Sequence, residues 1–233
     1  VRHILVRHEQ GGGHAADGYA RATGPLGVAL ATSGPGATNL VTAIHDAMMD
    51  SVPTLFITGN VARNLLGKDG FQEADITGIT TPIVKHNYLV MRAEDLAYAF
   101  AEAAYIATTG RKGPVHIDIP KDVFIEEAEF HWAEQVWIGG YRPVTSAPAS
   151  QVQQAAEVID AAERPIIIAG HGVILSGAAE ELRQFAEKSG IPVLNTLLGL
   201  GGISRDHALS YGRLGMHGSY EANHAASSAD VIV

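Results

Sequence analysis

The sequence predicts an α/β fold built on parallel sheets and divided into two domains. Short Val, Ile, Leu and Ala runs recur at intervals that leave room for a helix between them. Nearly every run ends in a Gly- or Pro-rich turn, which is the pattern of parallel βαβ units. Between residues 122 and 150 this pattern dissolves into acidic residues, two Trp and Gly139-Gly140 with Pro143 and Pro148, so this stretch reads as a linker.

In order, the apolar run Ile4-Leu5-Val6 reads as a strand, and Gly11-Gly12-Gly13 as a backbone turn. A helix of small residues then runs to the stop at Gly24-Pro25. Val28-Ala29-Leu30-Ala31 reads as a strand buried on both faces, followed by a helix over about 37–49 and a strand over 54–58. Residues 59–79 form a long segment without a period, and loops of that length in compact domains usually serve function. Residues 82–91 alternate like a strand, 93–108 read as a helix, and Val115-His116-Ile117-Asp118-Ile119 as a strand closed by Pro120.

The second pattern opens near Gln151 with a helical face of Val152, Ala155, Ala156 and Ile159. Ile166-Ile167-Ile168-Ala169 is a buried strand, Gly170-His171-Gly172 a tight turn, and 178–189 a helix capped by Ser176. Residues 192–196 are a strand, 197–218 a glycine-rich loop, 220–226 a short helix and 231–233 the start of a strand. These boundaries give domains over 1–125 and 151–233 with a linker over 126–150.

Composition narrows the function classes. The 233 residues are 46% hydrophobic, which is enough to bury a core in each of two domains. A net charge of −9 without a basic run argues against nucleic acid and anionic membrane as partners. The absence of cysteine excludes a disulfide scaffold and is compatible with the cytoplasm. No apolar run approaches the roughly 20 residues that span a bilayer. Because the sequence opens on Val, inside an expected strand, a targeting segment preceding it is not excluded.

Glu9 then sits where a strand end would meet a helix, the region in which open α/β sheets collect ligands. His8, Glu9 and His14 lack the one-turn histidine spacing of a zinc motif, so no metal ligand is assigned.

The stretch from Val6 to Gly24 resembles the thiamine diphosphate enzymes of the acetohydroxyacid synthase (acetolactate synthase) large-subunit family. The resemblance continues through Thr32-Ser33-Gly34-Pro35-Gly36-Ala37-Thr38-Asn39, Phe71-Gln72-Glu73-Ala74-Asp75-Ile76 and Pro82-Ile83-Val84-Lys85-His86-Asn87-Tyr88. It extends to Gly113-Pro114-Val115, to Asp118-Ile119-Pro120-Lys121-Asp122-Val123 and to Leu214-Gly215-Met216-His217-Gly218. It implies a pyrimidine-binding domain followed by a Rossmann-like central domain, both truncated.

It further implies that Glu9 hydrogen-bonds N1′ of the thiamine aminopyrimidine, a role that asks for a carboxyl pKa raised in a dry pocket. Pro35, Asn39 and Gln72 would neighbour that cofactor, and Phe71 and Lys121 would line a channel in which the lysine attracts 2-keto acids. FAD would lie against Arg111, Gly170, Gly172, Thr196, Leu197, Leu214, Gly215, Met216 and His217. The resemblance implies Mg2+ held by ligands outside this chain, a homodimer or tetramer with active sites between subunits, and a regulatory small subunit. The stretch alone is then expected neither to bind thiamine diphosphate tightly nor to turn over.

Two positions depart from the family pattern: His171, where Gly is usual, and Gly59-Asn60-Val61-Ala62, where Gly-Gln-Val-Pro is common. The implied reaction is decarboxylation of pyruvate and transfer of the two-carbon unit to a second 2-keto acid in branched-chain amino-acid synthesis. A carboligase, a decarboxylase or a pyruvate oxidase on the same scaffold, or a noncatalytic nucleotide-binding piece, remains an alternative.

Overall fold

A computed structural model describes residues 2–233. The chain divides into two compact units, the first ending at Thr145 and the second running from Ser146 to Val233.

The first unit contains, in order, α1 (Glu9–Thr23), β1 (Gly27–Ala31), α2 (Pro35–Thr38), α3 (Val41–Asp50), β2 (Thr54–Asn60), α4 (Ile76–Thr80), β3 (His86–Leu89), α5 (Leu96–Thr108) and β4 (Val115–Pro120). The strands form one fully parallel sheet in the order β1-β2-β4-β3. Two expectations at its start are corrected. Residues 4–6 are exposed and not in a strand, and Gly11, Gly12 and Gly13 lie inside α1 instead of forming a turn. Three helical glycines cost helix propensity, and close packing offsets that cost at Gly13. A Cβ there would lie 2.5 Å from Ala43 Cβ, so glycine lets α1 settle against α3 and Phe56. His8 starts the helix by accepting the Gln10 N–H on its ring at 3.2 Å, and Gly24 ends it at φ 85°.

Period-two alternation along β2 supplies both faces of the sheet. Phe56 points into the layer of α1 and α3 with Ala16, Ala20, Leu40, Ala43 and Ile44. Leu55 and Ile57 point the other way, toward Ala99, Ala103 and Ile106 of α5. The expectation that residues 28–31 are buried on both faces fails at this layer: Ala29 and Ala31 are buried, whereas Val28 and Leu30 are 53% and 71% exposed. β1 is a terminal strand of the sheet, and α5 packs on the other three strands, β2, β3 and β4. The helix expected over 37–49 is two helices, α2 and α3, with Asn39 and Leu40 between them.

The second unit contains α6 (Ala149–Asp160), β5 (Pro165–Ala169), α7 (His171–Leu175), α8 (Ala179–Ser189), β6 (Val193–Asn195), β7 (Ser210–Arg213), α9 (Tyr220–Ser228) and β8 (Val231–Ile232). Its sheet is again parallel, in the order β7-β6-β5-β8. Ile167, Ala169 and Val193 pack toward Leu182 and Ala186 of α8, and Ile166 and Leu194 toward Ala222 of α9. Three details differ from expectation. Gly170 precedes the short helix α7 rather than opening a turn; Ser176 closes α7, its hydroxyl donating to the Gly172 carbonyl at 2.7 Å, rather than capping α8; and the loop over 197–218 contains strand β7. Among the described residues no helix is long and apolar enough to cross a membrane.

Candidate active site

The site is built where β1 ends. After Ala31 the chain turns through Ser33 and Gly34, whose φ of 58° and ψ of −115° suit a residue without a side chain, and Pro35 opens α2. Asn39 stands at the end of α2, and its amide donates to Glu9 Oε2 at 3.0 Å. Glu9 belongs to the first turn of α1, so its backbone position is fixed by the packing of α1 on α3 and β1.

Two glycines shape the space beside this pair. A Cβ on Gly36 would lie 3.5 Å from Glu9 Oε1 and 2.7 Å from Thr32 Cγ2, so Gly36 keeps the approach to Oε1 open. A Cβ on Gly34 would lie 2.6 to 2.9 Å from the backbone of Gln72, so Gly34 lets the Gln72 segment come against the turn. Gln72 itself adopts the left-handed conformation, φ 59°, which is uncommon for a residue with a side chain and occurs often at sites. The structure thus brings Glu9, Asn39 and the backbone of Gln72 together around the Gly34–Gly36 turn, with Pro35 exposed at its edge. Sequence reasoning treated both glycines as turn formers. The signal for their second role was the run of two glycines around Pro35.

Glu9 does not have the raised pKa that its implied role asks for. Its carboxyl is held below the ordinary carboxylate range, first by the Asn39 amide and then by the helix-start backbone N–H, and it is only partly covered by protein. The channel candidates lie at the same carboxyl end of the sheet. Phe71 is 90% exposed, and Lys121, which follows β4, donates its backbone N–H to the Asn60 carbonyl at 3.0 Å. The Asn60–Ala62 departure from the family pattern has a local consequence. Ala62 has φ −59°, the angle that a proline ring imposes. Ala62→Pro is therefore expected to leave unfolding free energy unchanged or raise it by up to about 1 kcal/mol in denaturant titration.

Arg111 anchors on the end of α3: its Nε donates to Ser51 Oγ at 2.7 Å and its Nη2 reaches the Met49 carbonyl at 3.4 Å. In the second unit, the other candidates share the carboxyl ends of adjacent parallel strands. Gly170 follows β5, Thr196 and Leu197 follow β6, and Leu214 to His217 follow β7. Thr196 Oγ1 accepts the Gly199 N–H at 3.1 Å, and a Cβ on Gly170 would lie 3.9 Å from that same oxygen. Gly215, at φ 113°, exchanges two hydrogen bonds of 3.0 Å with the Asn223 side chain, which holds the strand-to-helix turn, and Met216 projects 92% exposed beside it. The His217 carbonyl accepts from Arg213, and Gly172 lies within α7 with open space where a Cβ would be.

Comparison with known proteins agrees with this architecture. The model of the thiamine pyrophosphate enzyme N-terminal TPP binding domain matches residues 1–79, and that of the thiamine pyrophosphate enzyme central domain matches 152–233. An acetolactate synthase large subunit from Corynebacterium glutamicum is 54% identical over 233 residues, covering 100% of this chain and 37% of that protein. An acetolactate synthase large subunit from Mycobacterium tuberculosis is 51% identical over 100% of this chain and 38% of its own length. A probable acetolactate synthase large subunit from Methanocaldococcus jannaschii is 50% identical over 99% of this chain and 40% of its own. The chain thus spans about two fifths of the length of the curated relatives it matches. With both domain models matched in their order and the identity running across the whole chain, this protein belongs to the thiamine pyrophosphate enzyme family and is homologous to acetolactate synthase large subunits.

Proposed function

We propose that this chain is the part of an acetolactate synthase catalytic subunit that holds the aminopyrimidine of thiamine diphosphate and, in its second unit, FAD. The parent reaction decarboxylates pyruvate and transfers the two-carbon unit to a second 2-keto acid in branched-chain amino-acid synthesis. The observation that carries this reading is the Glu9–Asn39 pair at 3.0 Å beside a glycine that leaves Oε1 approachable. An aromatic ring nitrogen fits such a carboxyl: one oxygen is already oriented by Asn39, and no side chain blocks the other.

When bound, thiamine diphosphate supplies the nucleophilic carbon that attacks the keto group. Glu9 then holds a proton at N1′ of the pyrimidine. Covering Oε1 with a ring removes water from the carboxyl and pushes its pKa up from its depressed unliganded position, toward the range a proton donor needs. Asn39 keeps the carboxyl in one orientation, and the Gln72 backbone walls the turn. Lys121 adds positive charge for 2-keto acids, and Phe71 lines the proposed channel. Magnesium and the diphosphate are held by residues outside this chain.

In the second unit the turns after β5, β6 and β7 carry glycine backbone and Thr196 at the strand ends where parallel sheets receive dinucleotides, which supports FAD there. The cytoplasm is the proposed location. Relatives named large subunits support assembly with a smaller regulatory subunit, and the proposed catalytic assembly is a homodimer or tetramer. The test within the site is Gly36→Ala in the full-length product of the gene. Its added methyl clashes with Thr32 and covers Glu9 Oε1 at contact distance, and the KM for thiamine diphosphate is expected to rise about tenfold, the equivalent of about 1.4 kcal/mol. An unchanged KM would remove Oε1 from the cofactor site.

A further inference from the structure

Beneath the carboxyl ends of β2 and β4 runs a buried row of polar side chains that no step above uses. Asp118 Oδ1 contacts Thr58 Oγ1 at 2.6 Å, and Thr58 Oγ1 contacts His116 Nε2 at 2.8 Å. On the far side His116 Nδ1 contacts Thr80 Oγ1 at 3.0 Å, and Thr80 Oγ1 lies 2.8 Å from the Ile76 carbonyl. Thr58, Thr80 and His116 are fully buried, as is Asp118.

Counting hydrogens decides what this row holds. Each threonine has one hydroxyl hydrogen, and the Ile76 carbonyl can only accept. Thr80 therefore donates to Ile76, so His116 Nδ1–H must donate to Thr80. A neutral His116 is then an acceptor at Nε2, so Thr58 spends its hydrogen there. Thr58 has none left for Asp118, and that contact forms only if Asp118 carries a proton and donates it. If the proton instead moves to His116, Thr58 turns to Asp118 and the total is the same. All four contacts require one proton more than a carboxylate and a neutral imidazole provide.

We propose that the row from Thr80 to Asp118 holds this single shared proton, so that Asp118 and His116 together carry no net charge, and that Asp118 is a positioning residue for the proposed substrate channel. Burial favours the uncharged form of each group, pushing the Asp118 carboxyl up and His116 down to about 4. Asp75, at the start of α4, is the charged group that also bears on Asp118 and raises it further; Asn60 on β2 and Asn87 on β3 complete the polar surroundings with neutral amides.

The positioning runs through Asn60. Its Nδ2 donates to Asp118 Oδ2 at 2.5 Å, its Oδ1 accepts the Val61 N–H at 2.8 Å, and its carbonyl accepts the Lys121 N–H at 3.0 Å. One buried carboxyl thus fixes the start of the segment that leads to Gln72 and the backbone of Lys121. This role rests on the proposed synthase reading, whereas the proton count does not.

The test compares D118N with the wild type, because the new amide donates to Thr58 and accepts from Asn60 as a protonated carboxyl does. Above about pH 5 an unfolded Asp118 is ionised, whereas the folded row keeps its proton. The wild type therefore binds one proton more on folding than the variant, and its stability relative to D118N falls as pH rises. Unfolding equilibria in denaturant are expected to shift in favour of folded D118N, relative to wild type, by about tenfold per pH unit from about pH 5 to about pH 7. A ratio independent of pH would mean that no shared proton exists and would overturn the proposal. In the full-length enzyme, D118N is expected to keep the KM for pyruvate within about twofold, while D118A raises it about tenfold with kcat little changed. Equal KM in D118A and wild type, or equal loss in D118N and D118A, would refute the positioning role. A full-length wild type that makes no acetolactate would remove the synthase reading and leave the pH result standing.

Discussion

Glu9→Gln in the full-length enzyme is expected to lower kcat by about a hundredfold to ten-thousandfold, the range that a positioned proton donor contributes. The substitution is nearly isosteric, and the new side-chain oxygen can still accept from the Asn39 amide that now lies 3.0 Å from Glu9 Oε2. Glu9 is partly exposed at the first turn of α1, so unfolding free energy is expected to change by no more than about 0.5 kcal/mol. A dead enzyme with an intact denaturation curve separates loss of a proton-holding group from loss of fold. A variant retaining a tenth or more of wild-type kcat would show that another group holds the proton at N1′.

Gly27→Ala is expected to have the largest effect on stability. A Cβ at Gly27 would stand 2.1 Å from the Ala16 carbonyl oxygen and 2.7 Å from its carbon, and backbone atoms of a packed helix have no rotamer by which to move aside. Relieving the clash requires α1 to shift off β1, opening the layer of Ala16, Ala20, Ala29 and Phe56. The expected loss is about 3 kcal/mol in denaturant titration, the upper range for overpacking. Because α1 carries Glu9, the same variant is expected to weaken thiamine diphosphate binding. Gly18, also in α1, is the internal control: nothing lies within 4 Å of a Cβ there, so Gly18→Ala is expected to stabilise by about 1 kcal/mol through helix propensity alone. If both substitutions proved neutral, the close seating of α1 on the sheet would be wrong.

These two glycines also show what was legible in the sequence. β2 and β5 announced themselves, because a strand covered on both faces is largely apolar, and Leu55, Phe56 and Ile57 or Ile166 and Ile167 satisfy that locally. Gly11 to Gly13 misled, because glycine reads as a turn until the neighbour that demands it is known, and Ala43 lies in another helix. β7, with Ser210, Tyr211, Gly212 and Arg213, has no apolar run to betray it and is a strand through its pairing with β6. Glu9 and Asn39 lie 30 residues apart, and no period in the chain links them; only the family resemblance put them on one cofactor. The depressed pKa of Glu9 was missed for a related reason: the resemblance describes a carboxyl under a bound ring, whereas the chain by itself leaves the carboxyl partly open. The buried row at Asp118 left no motif either, since its members come from β2, α4 and β4.

The central claim is tested most directly by incubating the full-length gene product with pyruvate, thiamine diphosphate, Mg2+ and FAD and measuring acetolactate. Acetolactate formed in step with pyruvate loss, and abolished in Glu9→Gln, is the result expected here; pyruvate consumed without acetolactate would contradict the synthase reading and move this chain to a decarboxylase or oxidase on the same scaffold.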